Sequence, residues 1–197
     1  MIARARDVLG AAFVADPLMV HAFGPGQVGA EALARLFDPV LEACRRHGGL
    51  LVREEAAAAW LPGSLVPLPW GARLRAGFAR LPLMLPPAGL LRLLRHEAAC
   101  EAAIRARFGK RRFAYLWLLG VTPEGRRRGL GRDILDDALG AMAGDFDLCV
   151  LKTENPQAAK FYRRMGFALQ GRLTVPASRL DVQFLARPTR LQRACAT

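Results

Sequence analysis

The sequence predicts a mixed α/β fold of the α+β type, helices packed on a central sheet, and three observations carry that expectation. An apolar run, Leu116 to Val121, passes through Thr122-Pro123-Glu124-Gly125 into an amphipathic helix. A second strand-to-helix passage follows, in which Leu151 leads to Asn155-Pro156, a strong helix start. A chain of 197 residues buries one substantial core, so a single domain over residues 1–197 is expected.

From the amino terminus, the pattern predicts helices over 3–15 and 30–47, the second ended by Gly48-Gly49. Between them, Asp16-Pro17 supplies a cap and a first position for a short extra helical turn. Leu50 to Arg53 and Ala57 to Leu61 read as a strand pair turning at Glu54-Glu55, against the poor strand preference of the Ala run. The turn-rich stretch Pro62 to Pro69 leads to a helical region over about 87–107, with Arg92, Arg95, Glu97 and Glu101 on its polar side. Leu116 to Val121 is short, apolar and bounded by turn residues, and so reads as a buried central strand. Gly120 inside it marks a bulge or a close backbone approach. Ile134, Ala138 and Met142, with Leu130, Leu135 and Leu139 beside them, give the next helix an apolar face, opposite Arg132, Asp133, Asp136 and Asp137. Asn155 caps and Pro156 opens the last helix, Gly166 ends it, and Ala158, Phe161, Tyr162 and Met165 share one of its faces. Phe167 to Thr174 and Leu180 to Arg187 read as closing antiparallel strands, and no internal repeat is visible.

The junction after Val121 is suited to an anionic, phosphate-bearing ligand. A strand that delivers a Gly-containing turn to a helix start aims unpaired amides and the positive end of the helix dipole at one point. Arg126, Arg127 and Arg128 add charge around it. A Walker-type loop requires Gly-Lys followed by Ser or Thr, and Gly131-Arg132-Asp133 stands there instead. The dinucleotide fingerprint requires a Gly or Ala where Ile134 stands. What remains is R-x-x-G-x-G, formed by Arg126, Gly129 and Gly131. A solvated basic turn that merely ends a strand is the competing explanation.

In this motif the chain resembles the GNAT superfamily of N-acetyltransferases. The resemblance extends upstream through Leu116 to Glu124 and downstream through Leu151 to Phe167, two ordered blocks at the family's separation. It covers residues 113–187, a cofactor core, and leaves 1–112 as the acceptor-side part. It implies a GNAT-like central mixed, mostly antiparallel sheet of about six to seven strands flanked by helices, with a splayed cofactor-binding strand. It further implies that acetyl-CoA is the cofactor, with CoA as product. Its pyrophosphate would meet Arg126, Arg127, Arg128, Gly129, Leu130, Gly131 and Arg132. Its pantetheine arm would run beside Leu119 and Val121, a free amide near one or the other would polarise the thioester carbonyl, and Asn155, Ala158, Phe161 and Tyr162 would complete the site. Tyr162 matches the residue that protonates the departing thiolate, a role suited to a phenol held near sulfur; physics alone reads it as a core or boundary aromatic whose hydroxyl finds a partner.

The reaction so implied is direct acetyl transfer to a primary amine of a small molecule or peptide within a ternary complex. No nucleophilic Ser or Cys is then needed, but the amine must lose a proton, and Glu54, Glu55, His96, Glu97, Glu101 and Asp181 are chemically able to take it. Trp60, Trp70, Tyr115 and Trp117 are candidates to line an acceptor pocket, although large aromatics are more often plain core. A non-catalytic acyl-CoA-binding module and, behind it, a basic nucleic-acid-binding domain are the rival readings.

The net charge of +12 invites the nucleic-acid reading. Its arginines, however, are spread along the chain with no RNA-binding aromatic signature, zinc-ligand spacing or heptad, so no nucleic-acid partner is expected. Cys44, Cys100, Cys149 and Cys195 form no C-x-x-C pair, so no metal site is expected and a reduced cytoplasmic setting fits. The start of the chain is unlike a signal peptide, and the Pro-interrupted stretch between Arg80 and Arg92 is too short to span a bilayer, so no membrane partner is expected. A homodimer is compatible with this reading.

Overall fold

The computed structural model describes residues 1–26 and 28–190. Cys195 lies outside the described residues. Three helices come first: α1 (Ile2–Ala12), α2 (Pro17–Phe23) and α3 (Ala30–His47). The hairpin β1 (Gly49–Val52) and β2 (Ala56–Pro62) follows, then α4 (Trp70–Ala76) and α5 (Pro87–Phe108), joined by short 3-10 turns. The remainder runs β3 (Phe113–Val121), α6 (Leu130–Met142), β4 (Leu148–Thr153), α7 (Pro156–Arg164), β5 (Ala168–Val175) and β6 (Leu180–Pro188).

The six strands form one sheet in the order β1-β2-β3-β4-β6-β5. Only β3 and β4 run parallel; every other neighbouring pair is antiparallel. This is the expected mixed, mostly antiparallel sheet, at the lower end of the expected strand number. The helix expected over 3–15 stops at Ala12, because Asp16 takes the amides of Leu18 and Met19 and starts α2 afresh. Residues 70–86, which the sequence pattern left unassigned, form α4 and a 3-10 turn.

The Ala run of β2 forms a strand because of its place in the sheet. Ala57, Ala59 and Leu61 pack toward α1 and α3, and Ala56, Ala58 and Trp60 toward α6, with all four alanines fully buried. Small side chains let helices approach both faces closely, which outweighs the weak strand preference of Ala. On the α6 side, Ile134, Leu135, Ala138 and Met142 are completely buried. Burial of each large one among them contributes about 1.5–3 kcal/mol.

The feature that shapes the rest of the molecule is the parting of β3 and β4. Their pairing covers only Phe113↔Leu148, Ala114↔Cys149 and Tyr115↔Val150, while β3 continues to Val121. Opposite β2, Trp60 pairs with Leu116 and Ala59 with Leu118, so Trp117 is an extra, bulged residue. A bulge bends its strand, and this one lies where β3 turns away from β4. Gly120 is therefore not the bulge. Its place is the close approach: a Cβ there would stand 2.8 Å from Ala12 Cβ and 3.0 Å from Leu9 Cδ2, so its absence lets α1 lie on β3.

Candidate active site

Where β3 and β4 part, a cavity of about 1020 Å³ opens. Its walls come from both faces of the sheet: β3 from Leu116 to Val121, the loop before α6, the end of β4 and the start of α7, with α1, α2 and α5 at the other end. All the residues that the resemblance assigned to the cofactor line it, except Arg128. The guanidinium of Arg128 is instead paired with Glu55, over the outer side of the loop.

The loop is built as a donor cradle. Arg127 and Gly129 adopt positive φ angles of 64° and 86°, which turns successive amides toward one side. Gly129 needs no side chain there and takes the conformation without the cost a Cβ carries. Among the described residues, the amides of Arg127, Arg128, Gly129, Leu130 and Gly131 make no hydrogen bond. Those of Arg126 and Arg132 are engaged within the loop, with Pro123 O at 3.4 Å and Gly129 O at 2.8 Å. Arg126 also reaches the carbonyl of Ala12 at 3.2 Å, tying the loop to α1. Free amides at the first turn of α6, with arginines beside them, are the donor set that a pyrophosphate requires.

The splayed strand supplies a second donor set. The Thr122 amide donates to Glu55 O at 2.9 Å, across to the β2 side. Alternation along an antiparallel strand then turns the amides of Leu119 and Val121 the other way, into the gap that β4 leaves open.

On the opposite wall, Asn155 caps α7 by accepting from the amides of Gln157 at 2.9 Å and Ala158 at 3.4 Å. One turn on, the Tyr162 ring packs edge-on against Phe161 and Phe167, with centroids 5.2 and 5.5 Å away. Burial raises its phenol above the ordinary tyrosine value, with the neighbouring Cys149 adding to the effect, so the hydroxyl keeps its proton. Thiolate chemistry has no place here: burial pushes the Cys100 and Cys149 thiols up to about 12.

Beneath the cavity lies a buried ion network that the sequence pattern did not reveal. Lys152 Nζ donates to Glu97 at 2.9 Å and to Glu154 at 2.8 Å. His96 Nε2 lies 2.8 Å from the same Glu154 oxygen, and its Nδ1 lies 2.8 Å from Ser178 Oγ. Burial works against the Lys152 charge, yet Glu154 and Glu97 outweigh it and hold the ammonium well above the usual lysine value. Burial likewise opposes the Glu154 charge, but Lys152 and the His96 hydrogen bond bring its carboxyl down to about 2. His96, Cys100 and Glu154 bring their donor atoms within 4.8 Å of one another. Two of those atoms, His96 Nε2 and the Glu154 oxygen, are already joined to one another at 2.8 Å.

Of the six residues weighed for proton acceptance, Glu97 and Glu101 line the cavity. Glu55 is held by Arg128, Asp181 accepts from the Thr174 hydroxyl at 2.6 Å, and His96 is fully buried behind Glu154. Among the four aromatics, Trp117 alone is in the wall, stacked on Phe78. Trp60 and Tyr115 are core, and Trp70 is 74% exposed. The site also contains Asp16, whose sequence signal was only that of a helix cap. Among the described residues, no helix is long and apolar enough to cross a membrane.

Comparison with known proteins agrees with this fold. Residues 91–169 match the family model described as an acetyltransferase (GNAT) domain. A polyamine N-acetyltransferase from Drosophila melanogaster, an enzyme that catalyses the formation of N-acetylagmatine, shares the fold with a TM-score of 0.66 at 18% identity. That likeness covers 95% of this chain and 94% of the other. An agmatine N-acetyltransferase, solved as a mutant in its apo form, gives 0.61 at 19% identity over 92% and 91% of the two chains. Ard1 from Thermoplasma volcanium aligns with a TM-score of 0.37 at 23% identity over 40% of this chain, which spans about half (56%) of that relative. No curated protein matches the sequence. Residues 91–169 thus match a GNAT acetyltransferase domain, and the chain as a whole shares its fold with N-acetyltransferases of known structure.

Proposed function

We propose that the protein transfers the acetyl group of acetyl-CoA directly to a primary amine. The observation that carries this reading is a convergence in one cavity. Five free amides stand at the start of α6, four of them on residues that line the cavity, two more on the splayed strand face the gap, and a protonated phenol stands on the opposite wall. In this reading the amides of residues 127–131, with Arg126, Arg127 and Arg132, hold the pyrophosphate. Asn155, Ala158 and Phe161 form the wall along which the rest of the cofactor lies. Acetyl-CoA supplies the activated thioester. The amides of Leu119 and Val121 stabilise negative charge on the reacting carbonyl oxygen, and such donors contribute about 3 kcal/mol each in acyl transfer. Tyr162 gives its hydroxyl proton to the sulfur that leaves.

The acceptor enters from the α1, α2 and α5 end, between apolar residues such as Phe13 and Phe37 and the carboxylates beyond them. The fold shared with polyamine and agmatine acetyltransferases makes such amines the first acceptors to assay. Buried, unbridged Cys44, Cys100 and Cys149 fit the cytoplasmic setting that belongs to the same proposal.

The test is the thermal unfolding midpoint with and without ligand. At about one hundred times Kd, acetyl-CoA or CoA should stabilise the protein by about 2.7 kcal/mol, a rise of about 5–10 °C, and ATP should not. Indifference to both CoA species would overturn the assignment.

A further inference from the structure

We propose that Asp16 is the group that takes the proton from the acceptor amine, and so is a catalytic residue of the reaction proposed above, on which this inference rests. Four carboxylates line the cavity: Asp16, Glu97, Glu101 and Glu154. Three of them are held by cations or imidazole. Glu97 and Glu154 share Lys152, Glu154 also accepts from His96, and Glu101 takes Arg73 at 3.1 and 3.2 Å. Asp16 is the exception. Its Oδ1 accepts from the amides of Leu18 at 3.0 Å and Met19 at 3.3 Å, and among the described residues no basic group lies within 4.0 Å of it.

This difference decides which carboxylate can act as a base. Lys152 lowers the proton affinity of Glu154; burial raises Glu101 against the charge of Arg73, but that guanidinium engages both its oxygens, whereas Oδ2 of Asp16 makes no hydrogen bond among the described residues. Burial first, and then the negative charge of Glu154, lifts Asp16 to about 6, while Glu154 itself falls to about 2. A base works best when its pKa lies near the working pH. Of the charged groups around Asp16, Glu154 and Lys152 act on it from β4 and the turn after it. On its own helix, burial and the charge of Arg92 lower the His21 imidazole, which is therefore largely neutral at pH 7. On α5, which packs against α2, Arg92 is bound to the carbonyls of His21 and Ala22, and His96 and Glu97 are tied to Glu154 and Lys152. On α4, Arg73 is bound to Glu101. At the end of α1, Arg126 takes the Ala12 carbonyl.

In the transfer, an ammonium N–H bond breaks and an O–H bond forms on Asp16. The freed lone pair forms the C–N bond to the thioester carbon, the C–S bond breaks with its electrons passing to sulfur, and the Tyr162 proton moves to that sulfur. The surplus proton on the new amide nitrogen restores the phenol, so each turnover releases the one proton held by Asp16.

The variant that isolates this role is Asp16→Asn, because Asn caps a helix as well as Asp does and so preserves α2. Thiol release would be followed from pH 5 to 9 with agmatine and 2-phenylethylamine as probe amines, beside Tm with and without acetyl-CoA. In the parent, kcat/KM should rise through about pH 6. In Asp16→Asn it should drop about 100-fold or more at pH 7 and lose that limb, with the acetyl-CoA shift in Tm retained. The variant's Tm should also exceed the parent's at pH 8, and that excess should shrink toward pH 4, because only the parent must ionise a buried, unpaired carboxyl. Turnover within about threefold of the parent with the limb intact would overturn the assignment. So would a Tm difference that ignores pH. A parent whose Tm does not respond to acetyl-CoA would sink the proposed function itself, and this inference with it.

Discussion

Tyr162 is held by its ring, not by its hydroxyl. Phe161 and Phe167 pack edge-on against it, and the hydroxyl makes no hydrogen bond among the described residues. Tyr162→Phe keeps every ring contact and removes only the proton. Turnover should therefore fall about 100-fold or more while acetyl-CoA affinity, read by titration calorimetry, stays within a few-fold. Unchanged turnover would take Tyr162 out of the acid role. At this scale local spacing made Asn155 legible as a cap and put Tyr162 two turns on along the same helix, whereas the acid role of Tyr162 was implied only by the family resemblance. Asp16 was legible only as a cap, because its position beside Glu154, far along the chain, depends on how α2 meets the end of β4. The same holds for Lys152. Its partner Glu97 is 55 residues away, and removal of one partner from a buried pair of this kind typically costs about 3–5 kcal/mol.

Among the elements, the loop leading into α6 is the one whose function rests most on backbone conformation. Gly129 has φ 86°, and a Cβ there would meet nothing within 4 Å, so a side chain has room but carries the strain of the dihedral. Asn and Asp both tolerate this region, so Gly129→Asn and Gly129→Asp should fold alike. They differ by one negative charge placed where the pyrophosphate is expected. Acetyl-CoA binding should weaken about tenfold more in the Asp variant than in the Asn variant, and equal affinities would refute the loop assignment. The strand pattern predicted β3 correctly but left its irregularity at Gly120. The bulge falls at Trp117, because β2 accommodates an extra residue there, whereas Gly120 answers to the side chains of α1 across the sheet face. Register belongs to a pair of strands, and one strand's sequence does not carry it.

For the whole molecule, the buried carboxylates set opposing responses to pH. Glu154 has a lowered folded pKa, about 2 against an ordinary 4.5, so its stabilisation is complete above pH 4.5 and is lost as pH falls toward 2. That contribution is at most about 3 kcal/mol. Asp16 has a raised folded pKa, about 6 against 3.8, so its contribution is greatest below pH 3.8 and is lost as pH rises through 6. Between pH 5 and pH 2.5 the urea midpoint should therefore fall more in the parent than in Glu154→Gln, and parallel losses would show that the network does not drive acid unfolding. Apart from α4 and the 3-10 turn after it, the order of strands and helices is legible in the chain before it folds, as are the phosphate-suited loop and the caps, since each is written in residues within a turn or two of one another. The parting of β3 from β4, the union of the two sheet faces in one cavity and the isolation of Asp16 among paired carboxylates arise only when the elements pack. They depend on the register between strands and on charges brought together from distant parts of the chain, and neither leaves a periodic trace in the sequence.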